Sequence, residues 1–260
     1  MNRLVTIEDR SAQFPVTGIG NPWSREYYDG PFHVFAAPGD RPAISLVFVQ
    51  TRDGNTVAPN PEDLGGGPTD KHLIYEGLSR VAADGVLAGA SSVGHEVFFT
   101  VRTPQLVALR QALGFPRHPA QMVMSNDGRF DPDAAIFTTP DVPVFLLAGE
   151  RCRLKVADQF ARRPWITIVP LEGDLHVTFR RLRDDHGIGR ISAVGGRVTA
   201  TSLVDAGLVQ DIYLTTSPID GGEPNTPWYA GTRPPRLDTI VRKQEAADAP
   251  IVFEHLALAR

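Results

Sequence analysis

Residues 193–218 read AVGGRVTATSLVDAGLVQDIYLTTSP. A short apolar run ends at Val194, and Gly195 and Gly196 follow. The spacing then predicts a helix from about Arg197 to Ala206, stopped by Gly207, and a β-rich run, DIYLTTSP, comes next. Strand, glycine turn, helix and strand together are the repeating unit of an open α/β sheet. The glycine pair calls for bare backbone, either to make a tight turn or to let the main chain touch a ligand that a Cβ would push away. In such sheets ligands sit at the carboxyl ends of the strands, against helix N-termini whose first amides lack internal partners. Arg197, Thr199, Thr201 and Ser202 add donors to the same turn. A plain strand-to-helix turn capped by Thr199 satisfies these residues equally well.

The rest of the chain extends the pattern in both directions. AISLVFVQT (43–51), ADGVLAGASSV (83–93), AQMVMSNDG, VPVFLLAG, PWITIVP and RISAV read as strands, and IVFEHLALA as the last one. Between them, TDKHLIYEGLSRVA reads as a helix with Thr69 and Asp70 as cap candidates. TPQLVALRQALGF runs from Thr103 to a Gly114 stop, and LHVTFRRLRDDHGIGR forms a further helix. NPEDLGGGPTD (60–70) reads as a flexible loop and matches no phosphate-loop pattern. The alternation predicts a mainly parallel sheet covered by helices on both faces. Little helix separates the last strands, so the C-terminal edge is expected to be antiparallel. Residues 43–260 form one domain in this reading. Residues 1–42, rich in Gly, Pro and aromatics without a clear period, form an arm packed on it.

Composition narrows the function. The chain has 260 residues, 42% hydrophobic and 22% charged, as in an ordinary globular protein. A formal net charge of −4 offers no basic footprint, so nucleic acid is not an expected partner. Cys152 is the single cysteine, which excludes an internal disulfide and any CxxC site. The seven histidines show no metal-ligand spacing. The sequence contains neither a membrane-length apolar stretch nor a signal-peptide pattern, and a cytoplasmic enzyme without metal is the expectation.

The run ISAVGGRVTATSLVDAGLVQDIYLTTSPIDGG (191–222) resembles the reductase domain of the bifunctional deaminase–reductase of riboflavin biosynthesis. That family has a dihydrofolate-reductase-like fold. Four further stretches match in the same order: QTRDGNTVA, LSRVAADGVLAGASSV, EVFFTVR and MVMSNDGRFDPDAAIF. The likeness covers roughly residues 43 to 258, and the family's zinc-binding deaminase has no counterpart here. It implies a three-layer α/β/α fold with a mainly parallel sheet and an antiparallel C-terminal edge.

The resemblance also implies NADPH as cofactor. Gly196, Arg197, Val198, Thr199, Ala200, Thr201 and Ser202 match the segment that wraps its pyrophosphate, with Gly195 completing the pair. Ser92 and Asn126 match further cofactor contacts, and Val49 or Gln50 the backbone that meets the nicotinamide. On the substrate side, Arg80 and Arg102 match arginines that hold a sugar phosphate, so the expected partner is a small heterocycle with an anionic tail. Hydride is expected to reach C1′ of an opened ribose, with Glu96 or Asp53 relaying the proton. A homodimer is implied as well. Two departures bear on the substrate. Val194 stands where the family has a pyrimidine-contacting glutamate, and Gln210-Asp211 replaces the usual Asp-Glu. A dihydrofolate or pterin reductase, or a nucleotide-binding protein without turnover, therefore remains open beside the pyrimidine reductase.

Overall fold

The computed structural model describes residues 1–246 and 250–259. The N-terminal arm consists of β1 (Leu4–Asp9), a hairpin of β2 (Val16–Ile19) and β3 (Phe32–Phe35), and α1 (Pro22–Tyr28) between the two hairpin strands. Helix α1 starts where Asn21 and Ser24 cap each other reciprocally, with Pro22 at the first helical position. Tyr28 and Phe32 are fully buried and stack edge-on, and Phe253 packs against Tyr28. The arm does more than pack on the domain: β1 pairs with a strand from the C-terminal end and becomes the outermost strand of the main sheet.

The strands that follow are β4 (Ala43–Gln50), β5 (Gly85–Gly89), β6 (Ala120–Ser125), β7 (Val144–Ala148), β8 (Ile166–Pro170), β9 (Arg190–Ala193), β10 (Val209–Thr216), β11 (Leu237–Glu245) and β12 (Val252–Leu258). They form a ten-stranded sheet in the order β1-β11-β12-β10-β4-β9-β5-β6-β7-β8. From β10 through β8 every neighbouring pair is parallel. The β10–β12, β12–β11 and β11–β1 pairs are antiparallel. The expected antiparallel C-terminal edge is present.

Between β4 and β5, a short α2 (Gly67–Thr69) runs straight into Asp70–Leu78. This segment is wound as a π-helix, and the Ser79 amide closes it onto the Ile74 carbonyl. The remaining helices are α3 (Pro104–Ala112), α4 (Ala135–Thr138), α5 (Glu150–Phe160), α6 (Leu175–Asp184) and α7 (Arg197–Asp205). Alternate strand residues feed two layers. Ile44, Leu46, Phe48, Phe145 and Leu147 meet Phe179 and Leu182 of α6 and Leu203 of α7. On the opposite face Val144, Leu146 and Ala148 meet Cys152, Val156 and Phe160 of α5. Val47 on that same face meets Leu73, Ile74, Leu78 and Leu106. Side chains of this size stabilise the fold by roughly 1.5–3 kcal/mol each when fully buried.

One topological detail positions the site. After β5 to β8 wind outward in order, the chain returns to insert β9 between β4 and β5, and then places β10 on the far side of β4. Helices α3 and α5 lie on one face and α6 and α7 on the other. The connections therefore leave the carboxyl ends of β9 and its neighbours in opposite directions and open a crevice there.

Candidate functional site

The glycine turn lies in that crevice. Gly196 has φ +84°, a conformation that L side chains rarely adopt, and it heads α7 with no side-chain cap. Space there is limited on every side. A Cβ at Gly195 would come within 3.2 Å of Ser92 Oγ, and one at Gly196 would lie 3.5 Å from Thr199 Oγ1. Gly89, at the end of β5, is tighter still: a Cβ would stand 2.6 Å from Thr199 Oγ1. Three glycines thus leave bare backbone around Ser92 and Thr199, next to the uncapped amides of α7. Such a cradle fits an anionic group that needs close main-chain approach.

Three of the expected donors turn away from it. The Arg197 Nε donates to the Pro227 carbonyl at 2.5 Å, Thr201 Oγ1 accepts from the Ala230 amide at 2.9 Å, and Ser202 Oγ donates back to the Val198 carbonyl at 2.9 Å. Arg197 and Thr201 thereby tie α7 to the loop after β10, and Val198 is 79% exposed. Of the expected α7 hydroxyls Thr199 faces the turn, opposite Ser92, and Ala200 is buried in the core. Asn126 is exposed at the end of β6, and its carbonyl and amide oxygen pack where a side chain on Gly149 would stand. Val49 and Gln50 end β4; the Gln50 amide donates to Thr216 Oγ1 at 3.0 Å, and the Gln50 carbonyl accepts from the Ser217 amide at 2.9 Å.

The two expected proton relays do not fit that role. Asp53 accepts from Thr51 Oγ1, Asn55 Nδ2 and the Gly221 amide, and the Thr51 hydroxyl foremost holds its carboxyl below the usual range. It fastens the 51–55 turn to the loop after β10. Arg52 pairs there with Asp220, and the Thr56 amide bonds the Thr226 carbonyl at 2.8 Å. Glu96 is exposed and makes no hydrogen bond among the described residues. Arg80 is also reassigned. It is 6% exposed, stacks 4.0 Å from the Tyr75 ring centroid and donates to the Thr100 carbonyl at 2.9 Å. A guanidinium closed between Tyr75 and Phe99 supports the fold and presents no open fork to a phosphate. Arg102 is exposed. Its amide, with that of Thr103, is held by the Glu76 carboxylate at the start of α3, and its guanidinium makes no hydrogen bond among the described residues.

A carboxylate that the sequence reading treated as a cap lies in the crevice instead. Asp70 makes no capping bond. Its Oδ1 accepts from Thr215 Oγ1 at 2.5 Å, across from the end of β4, where Thr215 pairs with Val49. Gly66 packs beside both: a Cβ there would come within 3.0 Å of Val49 Cγ2 and 3.1 Å of Asp70 Oδ2. Burial pushes the Asp70 carboxyl up to about 7, against the smaller opposing effect of the Thr215 hydroxyl. Just past β10, Ser217 is buried and its hydroxyl has no partner among the described residues. The Gly65–Gly67 loop is therefore packed, with Gly65 and Gly67 at φ +77° and +64° and Gly66 giving room to Asp70. An Asp placed before an apolar helical pattern ordinarily signals a cap, so only the tertiary pairing with Thr215 could have revealed it.

The family model described as the RibD C-terminal domain matches residues 42–248. The chain belongs to the RibD C-terminal domain family. Among solved structures, a pyrimidine reductase-like protein from Corynebacterium diphtheriae is similar with a TM-score of 0.68 at 19% identity, over 85% of this chain and 93% of that one. RibD from Acinetobacter baumannii aligns with a TM-score of 0.64 at 15% identity, over 84% of this chain and 58% of its own. The Thermotoga maritima diaminohydroxyphosphoribosylaminopyrimidine deaminase/5-amino-6-(5-phosphoribosylamino)uracil reductase aligns with a TM-score of 0.60 at 15% identity, over 84% and 57%. The RibD C-terminal chain thus spans little more than half the length of these two proteins. At such identities the likeness shows the fold, which is the dihydrofolate-reductase-like one. Compared with proteins of curated function, the sequence finds no significant match. No helix among the described residues is long and apolar enough to cross a membrane.

Proposed function

We propose that this RibD C-terminal domain is an NADPH-dependent reductase of a phosphoribosylamino-pyrimidinone, acting at C1′ of the opened ribose. The observation that carries the reading is the cradle of Gly89, Gly195 and Gly196 around Ser92 and Thr199, at the carboxyl ends of the central strands. A dinucleotide pyrophosphate is the ligand that such bare backbone and uncapped amides suit. NADPH, when bound, supplies the hydride. Gly195, Gly196, Ser92 and Thr199 would hold its phosphates, and Val49 and Gln50 at the end of β4 would orient the nicotinamide. The loop after β10, clamped to the 51–57 turn, shields that end from water. Arg102, whose guanidinium makes no hydrogen bond among the described residues, would meet the substrate's phosphate tail. The homodimer and the cytoplasmic setting that the family resemblance implies belong to the same proposal.

A dihydropterin reductase is the second reading, favoured by Val194 in place of a pyrimidine-facing glutamate. Initial-rate NADPH oxidation with the phosphoribosylamino-pyrimidinone and with dihydrofolate, alongside calorimetric titration of NADPH, separates the cases. Turnover of the first compound with tight NADPH binding is the expected result. Turnover of dihydrofolate alone would establish the second reading, and binding without turnover would leave a nucleotide-binding protein. In the expected case Arg102→Ala raises KM for the phosphorylated substrate about 10- to 150-fold, the worth of one charge-assisted contact of roughly 1.5–3 kcal/mol. NADPH affinity stays within about twofold. An unchanged KM takes Arg102 out of the site.

A further inference from the structure

We infer that Asn225–Pro227 is a strap holding α7 and the turn after β4 in one register, and that Arg197 is the positioning residue that anchors it. Arg197 acts in this way on main-chain carbonyls and not on a phosphate. The inference rests on the reductase reading above and adds a residue role to that same site. Three observations carry it. First, the Arg197 guanidinium at the head of α7 donates to the Pro227 carbonyl at 2.5 Å and to the Asn225 carbonyl at 3.5 Å. Second, the Thr226 carbonyl between those two accepts from the Thr56 amide at 2.8 Å and from the Thr56 hydroxyl at 2.7 Å. The Thr226 amide also donates to Asn55 Oδ1 at 3.2 Å. Alternate carbonyls of three consecutive residues thus bond α7 in one direction and the turn after β4 in the other. Third, the parallel β4–β9 ladder ends at Leu46 and Ala193, so β4 runs on to Val49 and Gln50 beyond it. Above that level the strap supplies a direct tie between the end of β4 and α7.

The flanking residues keep that tripeptide in place. Asn225 has φ +60°, a conformation asparagine tolerates better than most side chains, and Thr226 Oγ1 donates to the Glu223 carbonyl at 2.6 Å across the same bend. Beyond Pro227, Trp228 packs on Phe48 of β4 with ring centroids 6.3 Å apart. The Tyr229 hydroxyl donates to Asp205 at 2.6 Å, and the Ala230 amide donates to Thr201 at 2.9 Å. Arg197, Thr201 and Asp205 are four residues apart on α7, so they share one stripe of the helix, and the strap runs along it. The consequence concerns hydride transfer. Helix α7 carries the proposed phosphate seat, and the end of β4 the proposed nicotinamide contact. A misplacement of about 1 Å between reacting groups costs on the order of 100-fold in rate. A slack strap should therefore show in the chemical step and not in cofactor affinity.

The test uses the full chain with the phosphoribosylamino-pyrimidinone, NADPH, and NADPH deuterated at the transferred position. Arg197→Met should lower kcat about 10- to 100-fold and leave the NADPH Kd within about threefold. Its deuterium isotope effect on kcat should exceed that of wild type, because hydride transfer becomes the slower step. Thr56→Val, on the other side of the strap, loses one neutral hydrogen bond and should lower kcat about 3- to 10-fold. The double variant should lose little more than Arg197→Met alone, since both changes slacken one strap. Arg197→Lys reaches one carbonyl but not two, and should recover part of the loss. A purely structural Arg197 would lower the melting temperature and leave kcat and the isotope effect of the folded fraction as in wild type, which would overturn the inference. An NADPH Kd weakened tenfold or more in Arg197→Met, with kcat unchanged in Thr56→Val, would put Arg197 on the phosphate and overturn it too. Losses that simply add in the double variant would do the same. Failure of wild type to turn over the compound at all would overturn the reductase reading, and the inference with it.

Discussion

At the scale of single residues, Asp70 ties stability to pH. Its carboxyl titrates at about 7 in the folded chain and near 3.8 when unfolded. The folded state therefore holds the proton more tightly, and the raised value costs stability as pH climbs. No penalty exists below pH 3.8, it grows between 3.8 and 7, and it is constant above. Asp70→Asn removes it. The variant should melt several degrees above wild type at pH 8 and coincide with it at pH 4, which thermal melts would show; equal melting at pH 8 would mean the carboxyl is well solvated. Arg80 tests the opposite assignment. Arg80→Met leaves the Thr100 carbonyl without its donor and the two rings without their cation, which should cost about 2–4 kcal/mol in urea unfolding. In the folded fraction KM for the phosphorylated substrate should hold. A rise comparable to that of Arg102→Ala would return Arg80 to the substrate site. These residues also mark where the sequence could and could not be read. Gly196 and Thr199 were legible because strand-to-helix glycine turns have a local cause. Asp53, Glu96, Arg80 and Asp70 were not, because burial and partner choice decide their roles, and both come from residues far along the chain.

At the scale of elements, α7 begins on uncapped amides behind a glycine turn, and the proposed anion seat there can be tested. Gly196→Asp imposes a side chain at φ +84° and adds a carboxylate beside the uncapped amides. The strain costs about 1–2 kcal/mol, and NADPH affinity should fall roughly 100-fold or more. Gly195→Ala isolates the steric part, since its Cβ would press on Ser92 Oγ at 3.2 Å without that strain. It should lose about tenfold. Near-wild-type NADPH titration of both folded variants would return the turn to a purely structural role. Most elements were visible in sequence because their apolar runs were continuous: β4, β5, β6, β7, β8, β9 and β12 all lie within the predicted stretches, and β10 begins two residues ahead of its predicted run. Two were not. Strand β11, LDTIVRKQE, sits near the sheet edge and carries too few apolar residues to stand out. Helix α5, ERCRLKVADQF, buries only Cys152, Val156 and Phe160, a stripe four residues apart in a charged background. The helix predicted over 69–82 is there, but as a π-wound segment, a distinction that hydrophobic spacing does not carry.

At the scale of the molecule, the parallel sheet and its antiparallel edge were legible from the alternation of runs, whereas the arm's share in the sheet was not. Strand β1 alternates poorly and exposes Val5 and Ile7, so it reads as irregular until β11 is there to pair with it. Removing residues 1–9 would bare the edge of β11, take Leu4 from the core and leave the Lys243 amine without its bond to Thr6. The truncated chain should lose 10 °C or more in melting temperature, as scanning calorimetry would record; an unchanged value would make the arm an accessory.

The insertion of β9 beside β4 also sets a timetable for synthesis. Strand β4 leaves the ribosome early, yet both of its sheet neighbours, β9 and β10, lie more than 130 residues downstream. At about 5–20 residues per second, AISLVFVQ waits on the order of ten seconds with both edges unpaired. Strands β5 to β8 can meanwhile assemble in order among themselves. A nascent chain stalled before Arg190 should therefore hold a protected β5–β8 block and a β4 segment open to holdase chaperones, and the crevice at the carboxyl ends of β4 and β9 should be the last part of the molecule to exist.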